Sequence, residues 1–213
     1  MRGDIMTNLA ESNSQEQDSY ELVDLRGISL DAFWSIESEL AVKHHKPQYV
    51  FGYVYAMAGG SDAHNRIESK VVQRLANHLE DSGCVAFTGN RKIVADRVRA
   101  SIDGINARGV SVYPDAVVQC SDSDGGWNTL VVVEVLSKST QANDRGKKLA
   151  AYKQIPTIQH IILIDQYQIK VEMHSRIGDV FSYSAFGAGE SFMIDAIELR
   201  VSVDDIYKGV EFA

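Results

Sequence analysis

The chain has 213 residues, 45% hydrophobic and 23% charged, with 16 Gly and only 3 Pro, a composition that excludes disordered and fibrous classes and suits one sizeable folded core. No stretch approaches the roughly 18 uninterrupted apolar residues of a membrane span, and two cysteines are too few for a disulfide framework or a cysteine-rich zinc module. The formal charge of −8 sits mainly in residues 1–40, which hold nine acids and two bases, while the other 173 residues, with 20 acids and 19 bases, come to −1.

Residues 1–20 are polar and acidic with no apolar period, which predicts a flexible leader ahead of a single domain over 21–213. The leader lacks the apolar core of a secretory signal, so the expected location is the cytoplasm, with Cys84 and Cys120 as reduced thiols. Basic residues gather at Arg91, Lys92, Arg97 and Arg99 and again at Arg145, Lys147, Lys148 and Lys153. On a nearly neutral body these clusters leave two readings open, a local positive groove or plain solvated faces.

From Ser29 the pattern predicts a short capped helix burying Leu30, Phe33, Trp34 and Leu40, then a strand over 49–57. Gly59-Gly60-Ser61-Asp62 supplies a turn and a candidate N-cap for a long helix, whose apolar Ile67, Val71, Leu75 and Leu79 recur every fourth position. Strands are expected at 85–87, 92–95 and, longer, 110–120. The run 129–136 is apolar on both faces apart from Glu134, as in a central strand covered on both sides. A helix over about 143–154, a buried strand at 160–164, a meander at 169–173 and 180–184, and a helical turn at 203–207 complete the order. The result is an α/β (mixed α+β) fold, a mixed central β-sheet flanked by helices.

Glu134 is the chemical anomaly. A carboxylate in so apolar a strand costs several kcal/mol or a raised pKa unless a cation, donors or a metal meets it. If the strand bearing Asp115 is its neighbour, Asp115 and Glu134 converge at one sheet end, and two such carboxylates suit the hard octahedral shell of Mg²⁺. The plainer alternatives are a strand-end cap for Asp115 and an ion pair for Glu134. Lys148 follows Glu134 by 14 positions and Asp144 by four, so it either pairs with Asp144 along the helix or orients an attacking water beside the metal; Lys147 is the adjacent candidate.

The ordered set Tyr53-Val-Tyr-Ala-Met-Ala-Gly-Gly60, His64-Asn65, Tyr113-Pro-Asp115, Val133-Glu-Val-Leu-Ser137 with Ser139-Thr140, Asp144-Arg-Gly-Lys-Lys-Leu149 and Tyr152-Lys-Gln-Ile-Pro156 resembles the Uma2 (Uma-two) family of restriction-endonuclease-like proteins, abundant in cyanobacteria. The likeness runs from about residue 30 to 212. It implies a PD-(D/E)XK-type fold and Mg²⁺- or Mn²⁺-dependent hydrolysis of nucleic acid, DNA above all. A homodimer is a separate expectation, since cutting two strands requires two sites. By the same resemblance Asp115 and Glu134 are the metal-binding acids, Lys148 replaces the lysine missing where Leu136 stands, and His64 approaches the metal or the scissile phosphate. A surface or capping role is the alternative for His64. The sequence also departs from the pattern: Gln48, Phe51 and Tyr53 stand where many relatives carry acids. That departure keeps a second reading open, a nuclease-fold module that binds nucleic acid or protein without turnover. A third is an interaction domain in which Glu134 merely pairs with Lys148.

Overall fold

The computed structural model describes residues 26–43, 46–55 and 60–212, so the expected leader lies outside the described residues. The N-terminal helix α1 (Leu30–Lys43) starts where Ser29 Oγ accepts the Ala32 N–H at 3.1 Å. Leu30, Phe33 and Leu40 are buried, but Trp34 is 43% exposed, because the residue after Phe33 is turned about 100° away from the packed face.

The strand expected over 49–57 is instead a tight hairpin, β1 (Gln48–Val50) and β2 (Tyr53–Tyr55), with its last two residues outside the described set. Phe51 and Gly52 both take positive φ (49° and 88°), the backbone of a two-residue hairpin turn that glycine makes cheap. Next comes the long helix α2 (Asp62–Leu79), which buries Ile67, Val71, Leu75 and Leu79, and Ser61 is its N-cap, as expected.

Strands β3 (Cys84–Thr88), β4 (Ile93–Ile102), β5 (Ile105–Val112), β6 (Ala116–Ser121) and β7 (Trp127–Leu136) follow. The long strand expected over 110–120 is thus two strands in different sheets, and Tyr113-Pro114-Asp115 is the corner between them. Proline has no N–H to give a ladder, so the chain leaves one sheet there and enters the next.

After β7 come α3 (Gln141–Asn143), a π-helical turn (Asp144–Lys148) and α4 (Leu149–Gln154), which form the crossover to β8 (His160–Asp165). The chain continues through β9 (Val171–Ile177) and β10 (Val180–Phe186), then the hairpin of β11 (Ser191–Ile194) and β12 (Leu199–Ser202), and α5 (Val203–Tyr207).

Six strands form the main sheet in the order β10-β9-β8-β7-β6-β3, mixed because only β7 and β8 pair in parallel. One face, with Val131, Val133, Val135, Ile162 and Ile164, packs on α2, α5 and the β11–β12 hairpin. The other, with Val132, Leu136, Ile161 and Leu163, packs on α4 and on a second, antiparallel sheet β2-β1-β5-β4. Each strand of the centre is therefore covered twice, which explains its unbroken apolar run. Glu134 falls on the second face, between the two sheets.

Cys84 and Cys120 stand opposite each other in the β3–β6 ladder, and their sulfurs are bonded. This corrects the expectation of two reduced thiols. The partners are 36 residues apart, and only the strand register brings them together. No helix among the described residues is long and apolar enough to cross a membrane.

Candidate metal-binding and catalytic site

Asp115 owes its position to the corner. Tyr113 N–H donates to the Gln48 side-chain oxygen at 2.9 Å, tying the corner to β1, and the pairing of Ala116 with Val133 sets Asp115 against the far end of β7. There the Val135 N–H donates to Asp115 Oδ2 at 2.6 Å, and Asp115 Oδ1 lies 3.3 Å from His64 Nε2. Asp115 is only 6% exposed. Burial alone would push its carboxyl up, but the His64 contact, the Val135 N–H and the Lys148 charge together hold it below the ordinary aspartate range.

Glu134, 2% exposed, accepts from Lys148 Nζ at 3.1 Å and from the Tyr152 hydroxyl at 2.6 Å, both at Oε1. Burial dominates here and lifts its carboxyl to about 8; the Lys148 ammonium opposes the rise, while the charges of Asp144 and Asp115 add to it. The same ammonium lies 3.2 Å from Asp144 Oδ1. Burial also raises the Asp144 carboxyl. The π turn delivers Asp144 and Lys148 inward together, and such bulges gather at functional sites. Lys147, one residue round the helix, reaches outward over the Tyr53 ring at 4.3 Å. Of the two candidate lysines, Lys148 is the one that meets Glu134.

On the other side of Asp115 stands the first turn of α2. Ser61 Oγ accepts the His64 N–H at 3.2 Å and so fixes the start of the helix. A Cβ on Gly60 would lie 2.8 Å from His64 Cδ2, so glycine leaves room for the imidazole. One turn further on is Glu68, whose carboxylate accepts from the Gly89 backbone; burial first, then the Asp115 charge, raises its pKa. Ligand atoms of His64, Glu68 and Asp115 all lie within 4.8 Å of one another. Glu68 is the member that sequence reading missed. Its signal was available, since His64 and Glu68 stand four apart and share a helix face.

Gln48, where relatives carry an acid, is fully buried and brings no charge, its oxygen taken by the Tyr113 N–H. Even so, among the described residues Asp115, Glu134 and Asp144 bring three buried carboxyl groups to the one ammonium of Lys148. Such a set of oxygen ligands fits a divalent cation, whose charge would favour their ionised forms.

A mixed sheet with two buried acids at neighbouring strands and a lysine from the crossover helix is the architecture of a restriction-endonuclease-like nuclease, a class that generally works with divalent metals on nucleic acid. The chain belongs to the Uma2 family, described as "Putative restriction endonuclease", which residues 38–203 match. It is similar to two uncharacterised proteins of the cyanobacterium Synechocystis. One is slr1290, 28% identical over 80% of this chain and 87% of that protein; the other is sll1609, 26% identical over 63% and 74%. The fold is similar to the crystal structure of a putative nuclease belonging to DUF820 from Anabaena variabilis, with a TM-score of 0.61 and 17% identity, covering 86% of this chain and 99% of that one.

Proposed function

We propose that the protein is a metal-dependent endonuclease that hydrolyses phosphodiester bonds of DNA, with Asp115 and Glu134 holding Mg²⁺ or Mn²⁺. The observation that carries this reading is the excess of buried carboxylate around Lys148 at the end of β7. A bound divalent ion would supply Lewis-acid charge to the phosphate and lower the pKa of a water.

The protein's own groups do the rest. Lys148, held between Glu134 and Asp144, cannot swing into solvent, so its ammonium is positioned to orient the attacking water and to face charge developing on the phosphate. Tyr152 fixes the Glu134 oxygen that Lys148 also uses, leaving the carboxylate one orientation. His64, whose side chain is 14% exposed, stands at the more open side and steadies Asp115 Oδ1. Two such copies side by side would suit the two strands of a duplex.

The test is plasmid cleavage with Mg²⁺ or Mn²⁺ by the parent, Asp115→Ala and Glu134→Gln. Cutting by the parent alone supports the assignment, whereas equal cutting by all three marks a contaminant. Buried, neutral Gln48 favours a second reading, a module that binds without turnover. Salt-sensitive DNA binding with no cutting and no heat on Mg²⁺ or Mn²⁺ addition would select it.

A further inference from the structure

We infer that the outer edge of β10 is a docking surface for a second copy of this chain, the two β10 strands pairing antiparallel about a dyad at Tyr183. The inference stands apart from the nuclease reading, since a chain that cuts nothing can pair this way and a monomer can cut.

Three observations carry it. The first is exposure. Among the described residues the three most exposed large hydrophobic side chains are Val180 (67%), Ile177 (63%) and Tyr183 (55%), and all three belong to the β9–β10 hairpin. β10 is also the last strand of the six-stranded sheet, so a row of backbone N–H and C=O groups lies along the same margin.

The second is a lack of edge protection. Natural sheets stop an edge from pairing with a bulge, a charge, a cover or a short strand. The other outer strands follow this rule. β4 shifts register between Ala95 and Arg99 and carries Asp96, Arg97 and Arg99. β2 has three residues and is bridged at Tyr53 by Arg26, β11 and β12 have four each, and β3 has five. β10 has seven residues, none of them charged or proline, in unbroken register with β9 from Val180 to Phe186.

The third is self-complementarity, which selects a second copy over a foreign strand. About Tyr183 the strand meets itself as Val180 with Phe186, Phe181 with Ala185, Ser182 with Ser184, and Tyr183 with Tyr183. These are aromatic, aliphatic and hydroxyl pairs of the kind that stabilise sheets, and no like charges are opposed. Alternate residues of an antiparallel strand turn their backbone groups outward, and either alternate set in 180–186 is symmetric about position 183. On one face the exposed Ile177 and Val180 would continue onto Phe186 of the second copy, which packs on Phe192 and the apolar core behind it.

The experiment is sedimentation equilibrium of the full, untagged chain across the micromolar range, on the parent, Tyr183→Lys, Val180→Lys and, as a control, Val94→Lys, an exposed apolar position on β4. Circular dichroism melts confirm that each variant is folded. The expected result is a dimeric parent. Association weakens about tenfold or more in Tyr183→Lys, which sets two like charges directly opposite, weakens also in Val180→Lys, and is unchanged in Val94→Lys. Register is read by cross-linking. With Cys84 and Cys120 bonded to each other, Tyr183→Cys adds a single free thiol, which a short bis-maleimide should link across the dyad, whereas Asp179→Cys, at the hairpin turn, should stay unlinked. A parent that is monomeric throughout, whatever else covers β10, overturns the inference. So does a dimer that is equally tight in Tyr183→Lys and Val180→Lys, or one linked through Asp179→Cys and not through Tyr183→Cys.

Discussion

On the β7 side of Asp115, Glu134, Asp144 and Lys148 are each only 2% exposed, with Lys148 bonded to both acids, whereas on the α2 side His64 and Glu68 are only partly covered. The two halves answer burial differently. The closed half spends its ammonium on two carboxylates and is rigid, so its worth lies in fixed geometry. The open half sets the Asp115 and Glu68 carboxylates about one imidazole, with the Lys46 charge also acting on Glu68, so it is held by looser, longer contacts. A single aspartate joins them, and its depressed pKa reflects both sides, the imidazole of one and the Lys148 charge of the other.

The largest effect expected from breaking this contrast is in the closed half. Lys148→Met strands two carboxylates in an apolar interior and should cost about 3–5 kcal/mol in denaturant unfolding. An equivalent loss at an open-half residue would erase the distinction.

Next comes Glu134→Gln, which removes one carboxylate but leaves Lys148 paired with Asp144. Burial lifts Glu134 from 4.5 to about 8, so the folded chain keeps a proton that the unfolded chain releases. Stability at this group is therefore fully present below about pH 4.5 and declines as pH rises towards 8. Glu134→Gln should abolish that decline and stabilise the protein by about 1–4 kcal/mol at pH 8, while plasmid cutting falls about a hundredfold or more. Asp115→Asn should show the opposite sign. The folded pKa of Asp115 is depressed, so its contribution is present above about 3.8 and vanishes as pH falls through the folded value. The variant should lose stability at pH 7 and none in strong acid, a difference that paired melts across pH would reveal.

The smallest stability change is expected at Gly60→Ala. The new Cβ meets His64 and the Asn65 side chain, which can shift, so the melting temperature should stay within about 2–4 °C of the parent. Plasmid cutting should nonetheless drop, because the imidazole that steadies Asp115 is displaced.

Much of the closed half was legible in sequence. Glu134 stands out because the rest of the run 130–136 in β7 is apolar, and Lys148 lies on the next helical segment. The four-residue period of Ile67, Val71, Leu75 and Leu79 likewise announced α2. Features set by long-range pairing were not legible. Nothing local shows that the chain at Tyr113-Pro114-Asp115 leaves one sheet for another, or that Cys84 and Cys120 share a register. Two local signals existed and went unused. Phe51-Gly52 and Asp103-Gly104 both carry the positive-φ pairs of two-residue hairpins, and the second explains why β4 and β5 run far beyond the strand expected at 92–95. Trp34 was misplaced because apolar character alone does not say which way a helical residue faces.

The central claim, that Glu134 is tolerated between the sheets because with Asp115 it grips a divalent ion, is tested most directly by anomalous diffraction from crystals soaked in Mn²⁺. The account predicts a manganese peak coordinated by carboxylate oxygens of both Asp115 and Glu134. A crystal in which Glu134 keeps only Lys148 and Tyr152 as partners, with no manganese between it and Asp115, would contradict it.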